Sequence, residues 1–116
     1  ADALSMAADQ LEEAGCFALV LEAIPEPLGR RVTEERGIPT IGIGAGRHCD
    51  GQVLVMADLL GLTEAGHRPR FVRRYGELGA MGAEAVTRFA ADVRSGSYPS
   101  GAEVYSPGAS GGKPGA

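Results

Sequence analysis

Apolar positions recur with a helical period over residues 1–14, where Leu4, Ala7, Ala8, Leu11 and Ala14 share one side and Asp2, Asp9, Glu12 and Glu13 lie off it. Gly15 supplies the usual stop. The pattern then changes. Ala18-Leu19-Val20-Leu21 has no polar face and is bracketed by Gly15 and Pro25, which predicts a buried parallel strand covered on both sides. It ends on Glu22. Pro25 or Pro27 suits the first turn of a helix, where the missing N–H costs nothing. That helix should run to about Arg36, before Gly37, and bury Leu28 and Val32 as an i, i+4 pair. Gly29 weakens it by about 1 kcal/mol relative to alanine. Arg30 with Glu34 and Arg31 with Glu35 make a wet outer face.

In Ile38-Pro39-Thr40-Ile41-Gly42-Ile43-Gly44-Ala45-Gly46, β-branched residues alternate with glycines, so strand period 2 puts Gly42, Gly44 and Gly46 on one face. Something should approach that backbone closely, either a large neighbouring side chain or a ligand. Gln52-Val53-Leu54-Val55-Met56 predicts a third buried strand, ending on Ala57-Asp58. The link from Ile43 is short for a parallel crossover, and Asp50-Gly51 is a hairpin signal, so local pattern leaves parallel and antiparallel pairing open. After a loop-like passage from Leu59 to Thr63, His67-Arg68-Pro69-Arg70 leads into a predicted helix carrying Phe71, Val72 and Tyr75, with Arg68, Arg70, Arg73 and Arg74 around it. Beyond a break at Gly76, Gly79 and Gly82, a second helix over 83–94 has Val86, Phe89, Ala90 and Val93 on one side, with Glu84, Arg88 and Asp92 opposite. Gly96 caps it. From Ser106 on, Gly, Ser and Pro predict disorder, which divides the chain into an ordered part, 1–105, and a tail, 106–116.

Helices alternating with strands give an α/β class. Three near-parallel strands cannot close a barrel and would leave two hydrophobic edges exposed, so the pattern suggests the later part of a larger sheet. The start on Ala1, directly into a helix, suggests a piece of something longer. At 116 residues the chain holds at most one domain. Its apolar content is 44%, with only 5% aromatic, so the core must be aliphatic. A net charge of −4 argues against nucleic acid or an anionic membrane as the main partner. No stretch approaches the roughly 20 apolar residues of a membrane span and none has the form of a signal peptide, so a cytoplasmic address is expected. Cys16 and Cys49 show no metal-type spacing, which favours free thiols in a reducing compartment.

The first candidate for chemistry is Glu22, because the carboxyl ends of parallel strands carry the ligand site in α/β folds. Its alternative is a carboxylate that caps the next helix or pairs with an arginine. Gly42-Ile43-Gly44-Ala45-Gly46-Arg47 invites comparison with the dinucleotide fingerprint, but the third glycine would fall on Arg47 and no clear helix follows. A P-loop lysine motif does not occur. Asp58 also stands at a strand end and is expected to be structural, while His48 and Cys49 are lone loop residues. The arginine cluster could hold an anionic tail or a partner's carboxylates, or be solvated helix charge.

Leu19-Val20-Leu21-Glu22-Ala23-Ile24-Pro25, Ile38 to Gly46, Asp50-Gly51-Gln52-Val53-Leu54-Val55-Met56 and the Ser97-Tyr98-Pro99 ending occur in an order and spacing that resemble the C-terminal part of the ketopantoate hydroxymethyltransferase family. The resemblance covers roughly 1–105. It implies a (β/α)8 TIM barrel in which this chain supplies the sixth, seventh and eighth strands, and it resolves the short link in favour of parallel pairing. It also implies transfer of a hydroxymethyl group from 5,10-methylenetetrahydrofolate to 3-methyl-2-oxobutanoate, giving 2-dehydropantoate. Glu22 matches the family's proton acceptor. Magnesium is implied as well, with its ligands on earlier strands, so that this stretch would hold the base but neither metal nor keto acid and would turn over little alone. A homo-oligomer is implied for the full length. Under these expectations Glu22 sits at the mouth of a closed ring of strands, shielded from bulk solvent. A nucleotide- or phosphate-binding module and a non-catalytic truncated remnant are the alternatives.

Overall fold

The computed structural model describes residues 2–63, 66 and 68–107. His67, where the basic segment begins, and positions 108–116 of the expected tail lie outside the described residues. The chain divides into two compact units, Ala1–Leu78 and Gly79–Ala116.

The first unit begins with α1 (Asp2–Glu13), followed by β1 (Leu19–Glu22), α2 (Glu26–Glu35), β2 (Thr40–Ile43), β3 (Gly51–Gln52) and α3 (Met56–Leu59). The sheet is wholly parallel, in the order β1-β2-β3. Leu19 pairs with Thr40 and Glu22 with Ile43, while Ile41 pairs with Gly51. The hairpin alternative falls. Asp50 accepts hydrogen bonds from the N–H and hydroxyl of Thr40, so it is tied back to β2 rather than turning a hairpin.

Helix α2 begins where Pro25 and Pro27 predict, with Pro25 as its N-cap, and the chain leaves it in extended conformation at Arg36. Its apolar side drives Val32, fully buried, into a cluster with Ala8, Leu19, Leu21 and Ala45, with Leu28 packed alongside. Burying such a valine contributes about 1.5–3 kcal/mol. The Arg30–Glu34 and Arg31–Glu35 pairs form at 2.7 and 2.8 Å on the exposed side. Both guanidinium groups are half-exposed, so the pairs stabilise the helix little. In α1 the buried positions are Ser5 and Ala8, whereas Leu11 is exposed. The helix is rotated from the face its apolar spacing predicts.

Four expectations need correction. Strand β1 is covered on one face only: Leu19 and Leu21 are buried, but Val20 is 65% exposed and Glu22 is exposed on the same side. Three strands leave that face open. The third strand is shorter than its apolar run. The N–H of Val53 still bonds the carbonyl of Gly42, but Val55 then accepts from Asp58 and Leu59 and opens α3. The segment around Phe71 is not a helix. Its amides reach back to α3, with Tyr75 N–H to Leu59 C=O at 2.8 Å and Leu78 N–H to Leu60 C=O at 3.0 Å. The carbonyls left free at the end of that short helix take these donors. Finally, α4 runs over Leu78–Ser95, straight through Gly79 and Gly82. At about 1 kcal/mol each, two interior glycines weaken a helix but need not break it.

In the second unit, Gly96 ends α4 at a φ of +76°, as its C-terminal position suggests. Phe89 meets Tyr98 edge-on, with ring centroids 5.2 Å apart. Ser100 and Glu103 close a turn beyond it, the Ser100 N–H and hydroxyl both donating to Glu103 Oε2 at 2.7 Å.

Candidate active site at the carboxyl end of the sheet

The register brings the last residues of β1 and β2 together. Glu22 lies opposite Ile43, and one residue later the N–H of Ala23 bonds the Ile43 carbonyl at 2.9 Å. Ala23 has a φ of +52°, the one non-glycine in the left-handed region among the described residues. That conformation costs an L-residue roughly 1–2 kcal/mol and is found where surrounding structure fixes it, often at functional sites. Here it turns the chain sharply from the strand end into Pro25 and α2.

The glycines of the next segment resolve as packing. Strand geometry ends at Ile43, so the three do not share a face. A methyl on Gly42 would meet Cys49 Sγ and the Gln52 amide at 3.0 Å, and one on Gly46 would press on Glu26. Gly44, at φ +67°, sits against the ring of Phe71. Each close approach comes from a neighbouring side chain, as the packing alternative expects. Cys49 is also packed against the core, which accounts for it structurally. Among the described residues both cysteines are free thiols.

An open cleft of about 690 Å³ lies at this end of the sheet, bounded by Ala23, Pro25, Glu26, Gly44, Arg70 and Phe71 among others. Glu26 is its central acid: one carboxylate oxygen takes Arg47 Nε at 2.9 Å and stands 3.2 Å from His48 Nε2. Sequence alone did not single out Glu26, and its position at the first helical residue, opposite a loop with two basic side chains, is the only signal it carries. A second cleft, of about 490 Å³, shares Gly44, Gly46 and Phe71 and adds Arg73 and Tyr75.

Glu22 stands beside these clefts without lining either. Its side chain leaves the sheet on the open face, and no described residue engages its carboxylate. Both structural alternatives are therefore unrealised, because α2 is capped by Pro25 with no side-chain bond and the nearby Arg47 is taken by Glu26. The shielding expected for Glu22 is absent in this three-stranded sheet. Asp58, by contrast, has a local partner. It lies inside α3, where its carboxylate accepts from the Thr63 hydroxyl at 3.1 Å. Among the described residues no group of three or more His, Cys, Asp or Glu could hold a metal ion.

A family model described as ketopantoate hydroxymethyltransferase matches residues 1–101. The chain belongs to that family. Among curated proteins it is 59% identical over 98 residues to "3-methyl-2-oxobutanoate hydroxymethyltransferase 2" of Bradyrhizobium diazoefficiens, covering 84% of this chain and 33% of that protein. It is 55% identical over 93 residues to the 3-methyl-2-oxobutanoate hydroxymethyltransferase of Cereibacter sphaeroides, with 80% and 33% covered. With the Paracoccus denitrificans protein of the same name it shares 51% over 108 residues, or 93% and 39%. The chain thus spans about a third of the length of the family members it matches. No helix among the described residues is long and apolar enough to cross a membrane.

Proposed function

We propose that this chain supplies the sixth, seventh and eighth strands of a (β/α)8 barrel and, within it, the proton acceptor for hydroxymethyl transfer from 5,10-methylenetetrahydrofolate to 3-methyl-2-oxobutanoate. The observation that carries this is Glu22, a carboxylate at the carboxyl end of a parallel strand, followed by a strained Ala23 and engaged by no other described residue. The open face that it shares with Val20 is the one a barrel would enclose. Family membership supports both parts.

The C3–H of a 2-oxo acid is weakly acidic because its carbanion delocalises into the adjacent carbonyl. A carboxylate within hydrogen-bond reach can take that proton, and C3 then bonds to the methylene carbon borne by the folate. In sum, 3-methyl-2-oxobutanoate, methylenetetrahydrofolate and water give 2-dehydropantoate and tetrahydrofolate, a step of pantothenate biosynthesis. Glu22 is the residue of this chain that receives the proton and returns it to solvent or product. No group of three or more His, Cys, Asp or Glu gathers among the described residues, and no step is assigned to magnesium here. We place its ligands, with most keto-acid contacts, in the part of the relatives' length that this chain does not span. This stretch alone should show no appreciable turnover. A cytoplasmic homo-oligomer is the setting we infer for the whole enzyme.

The test is a hybrid in which this chain replaces the matching third of the Bradyrhizobium relative. It should form 2-dehydropantoate and exchange the C3 proton of the keto acid with solvent deuterium. Glu22→Gln should slow that exchange by about 10²–10⁴-fold. Exchange at the unmutated rate would remove Glu22 as the base.

A further inference from the structure

The four arginines of the basic segment are not equivalent. Arg74 is consumed by the fold: its side chain is 17% exposed, donates to the Thr63 carbonyl at 2.9 Å and stands 3.5 Å from Glu77. Arg70 and Arg73 instead border the two clefts that open on either side of Phe71 and Gly44. Both are exposed, and no described acid pairs with either. Glu26, the acid of the first cleft, is already occupied by Arg47 and His48. In a chain of net charge −4, two permanently charged guanidinium groups thus stand at the rim of the clefts without an acid partner among the described residues.

Resting on the reading of the reaction above, we propose that Arg70 and Arg73 receive the carboxylate-bearing tail of the folate co-substrate. Both substrates carry carboxylates, but the compact keto acid must put C3 at Glu22, and Glu22 lines neither cleft. A folate tail is long, flexible and lies outside the reacting centre, as a rim site requires. A solvent-exposed ion pair contributes little by itself, so one carboxylate would be held weakly. A tail with several glutamates can engage both arginines at once and gains from their joint presence. Such contacts are screened by salt.

In the same hybrid, the KM for pentaglutamyl methylenetetrahydrofolate should lie about 3–10-fold below that for the monoglutamyl form at low salt, and the gap should close as salt is added. Arg70→Glu with Arg73→Glu should abolish or invert the gap, and Arg70→Lys with Arg73→Lys should keep part of it. Equilibrium binding of the two folates, followed without turnover, should show the same ordering. That measurement decides the point even where the hybrid forms no product, an outcome that would count against the reaction and not against the tail site. A gap that is absent in the unmutated hybrid, or indifferent to charge reversal, overturns the proposal. So does a rise confined to the KM of the keto acid, which would assign the arginines to the other carboxylate.

Discussion

Asp50 and Thr40 face each other across the link between β2 and β3, and one oxygen of the Asp50 carboxylate takes both the Thr40 N–H, at 2.8 Å, and its hydroxyl, at 3.2 Å. Thr40 is fully buried. Its hydroxyl also lies 2.7 Å from that of Thr33, which anchors α2 to the same point. The Thr33 hydroxyl is also 2.9 Å from the Gly29 carbonyl; as each hydroxyl carries one proton, Thr33 donates either to that carbonyl or to Thr40, and Thr40 correspondingly to Thr33 or to Asp50. Asp50→Ala leaves the Thr40 amide buried and unpaired, and should cost about 1–3 kcal/mol in urea unfolding. Asp50→Asn keeps an acceptor and should cost less. Equal losses would mean that the contact acts through something other than this acceptor.

Gly29 invites the opposite mistake. By helix propensity, Gly29→Ala should stabilise α2 by about 1 kcal/mol. The position is buried, however, and an added methyl would run into the carbonyl oxygen of Ala45. Overpacking of backbone costs about 1–3 kcal/mol, so the substitution should destabilise the chain. A rise in its melting temperature would show that α2 can shift away from Ala45.

Gly44 and Phe71 should be coupled. Gly44→Ala meets two obstacles, a φ of +67° and the ring of Phe71. Phe71→Ala removes the second and not the first. In a double-mutant cycle the pair should therefore cost less than the sum of the single changes, by about 1 kcal/mol or more, while roughly 1–2 kcal/mol of backbone strain persists. Strict additivity would mean that the ring simply moves aside.

Glu103 provides a titration. The Ser100 hydroxyl first, and its backbone N–H second, hold the Glu103 carboxyl below its ordinary value. A group whose value is lowered by folding favours the folded turn above its unfolded value, and that preference disappears as pH falls through the lower, folded one. Side-chain NMR should follow Glu103 titrating below the ordinary glutamate value, with the turn loosening in step. Ser100→Ala should move it upward; no movement would contradict the assigned cause.

The parts of this fold legible in the sequence are those set by local chemistry. Pro25 and Pro27 mark the start of α2, Gly96 the end of α4, and the i, i+4 charges of α2 the outer face; all are found in place. Elements decided by distant partners were not legible. Gln52 to Met56 is apolar enough for a strand, yet its pairing with β2 ends at Gln52, with one further bond from the Val53 N–H to the Gly42 carbonyl. Phe71, Val72 and Tyr75 have helical spacing, but the free carbonyls of Leu59 and Leu60 claim the nearby amides. The site shows the same division. Glu22 could be singled out because a charged residue ends an apolar run, whereas Glu26, Arg47 and His48 meet only through the turn at Ala23 and the loop after Ile43.

The ladder between β1 and β2 is closed at both ends, by Leu19 N–H on the Pro39 carbonyl and Ala23 N–H on that of Ile43. Because side chains alternate sides along a strand, slippage by a single position would tuck the acid of β1 beneath α2 and eject Leu21 into water. Pro39 and Ile43 thus decide on which side of the sheet the Glu22 carboxylate emerges. Drift at either position would carry that carboxylate away from the open face.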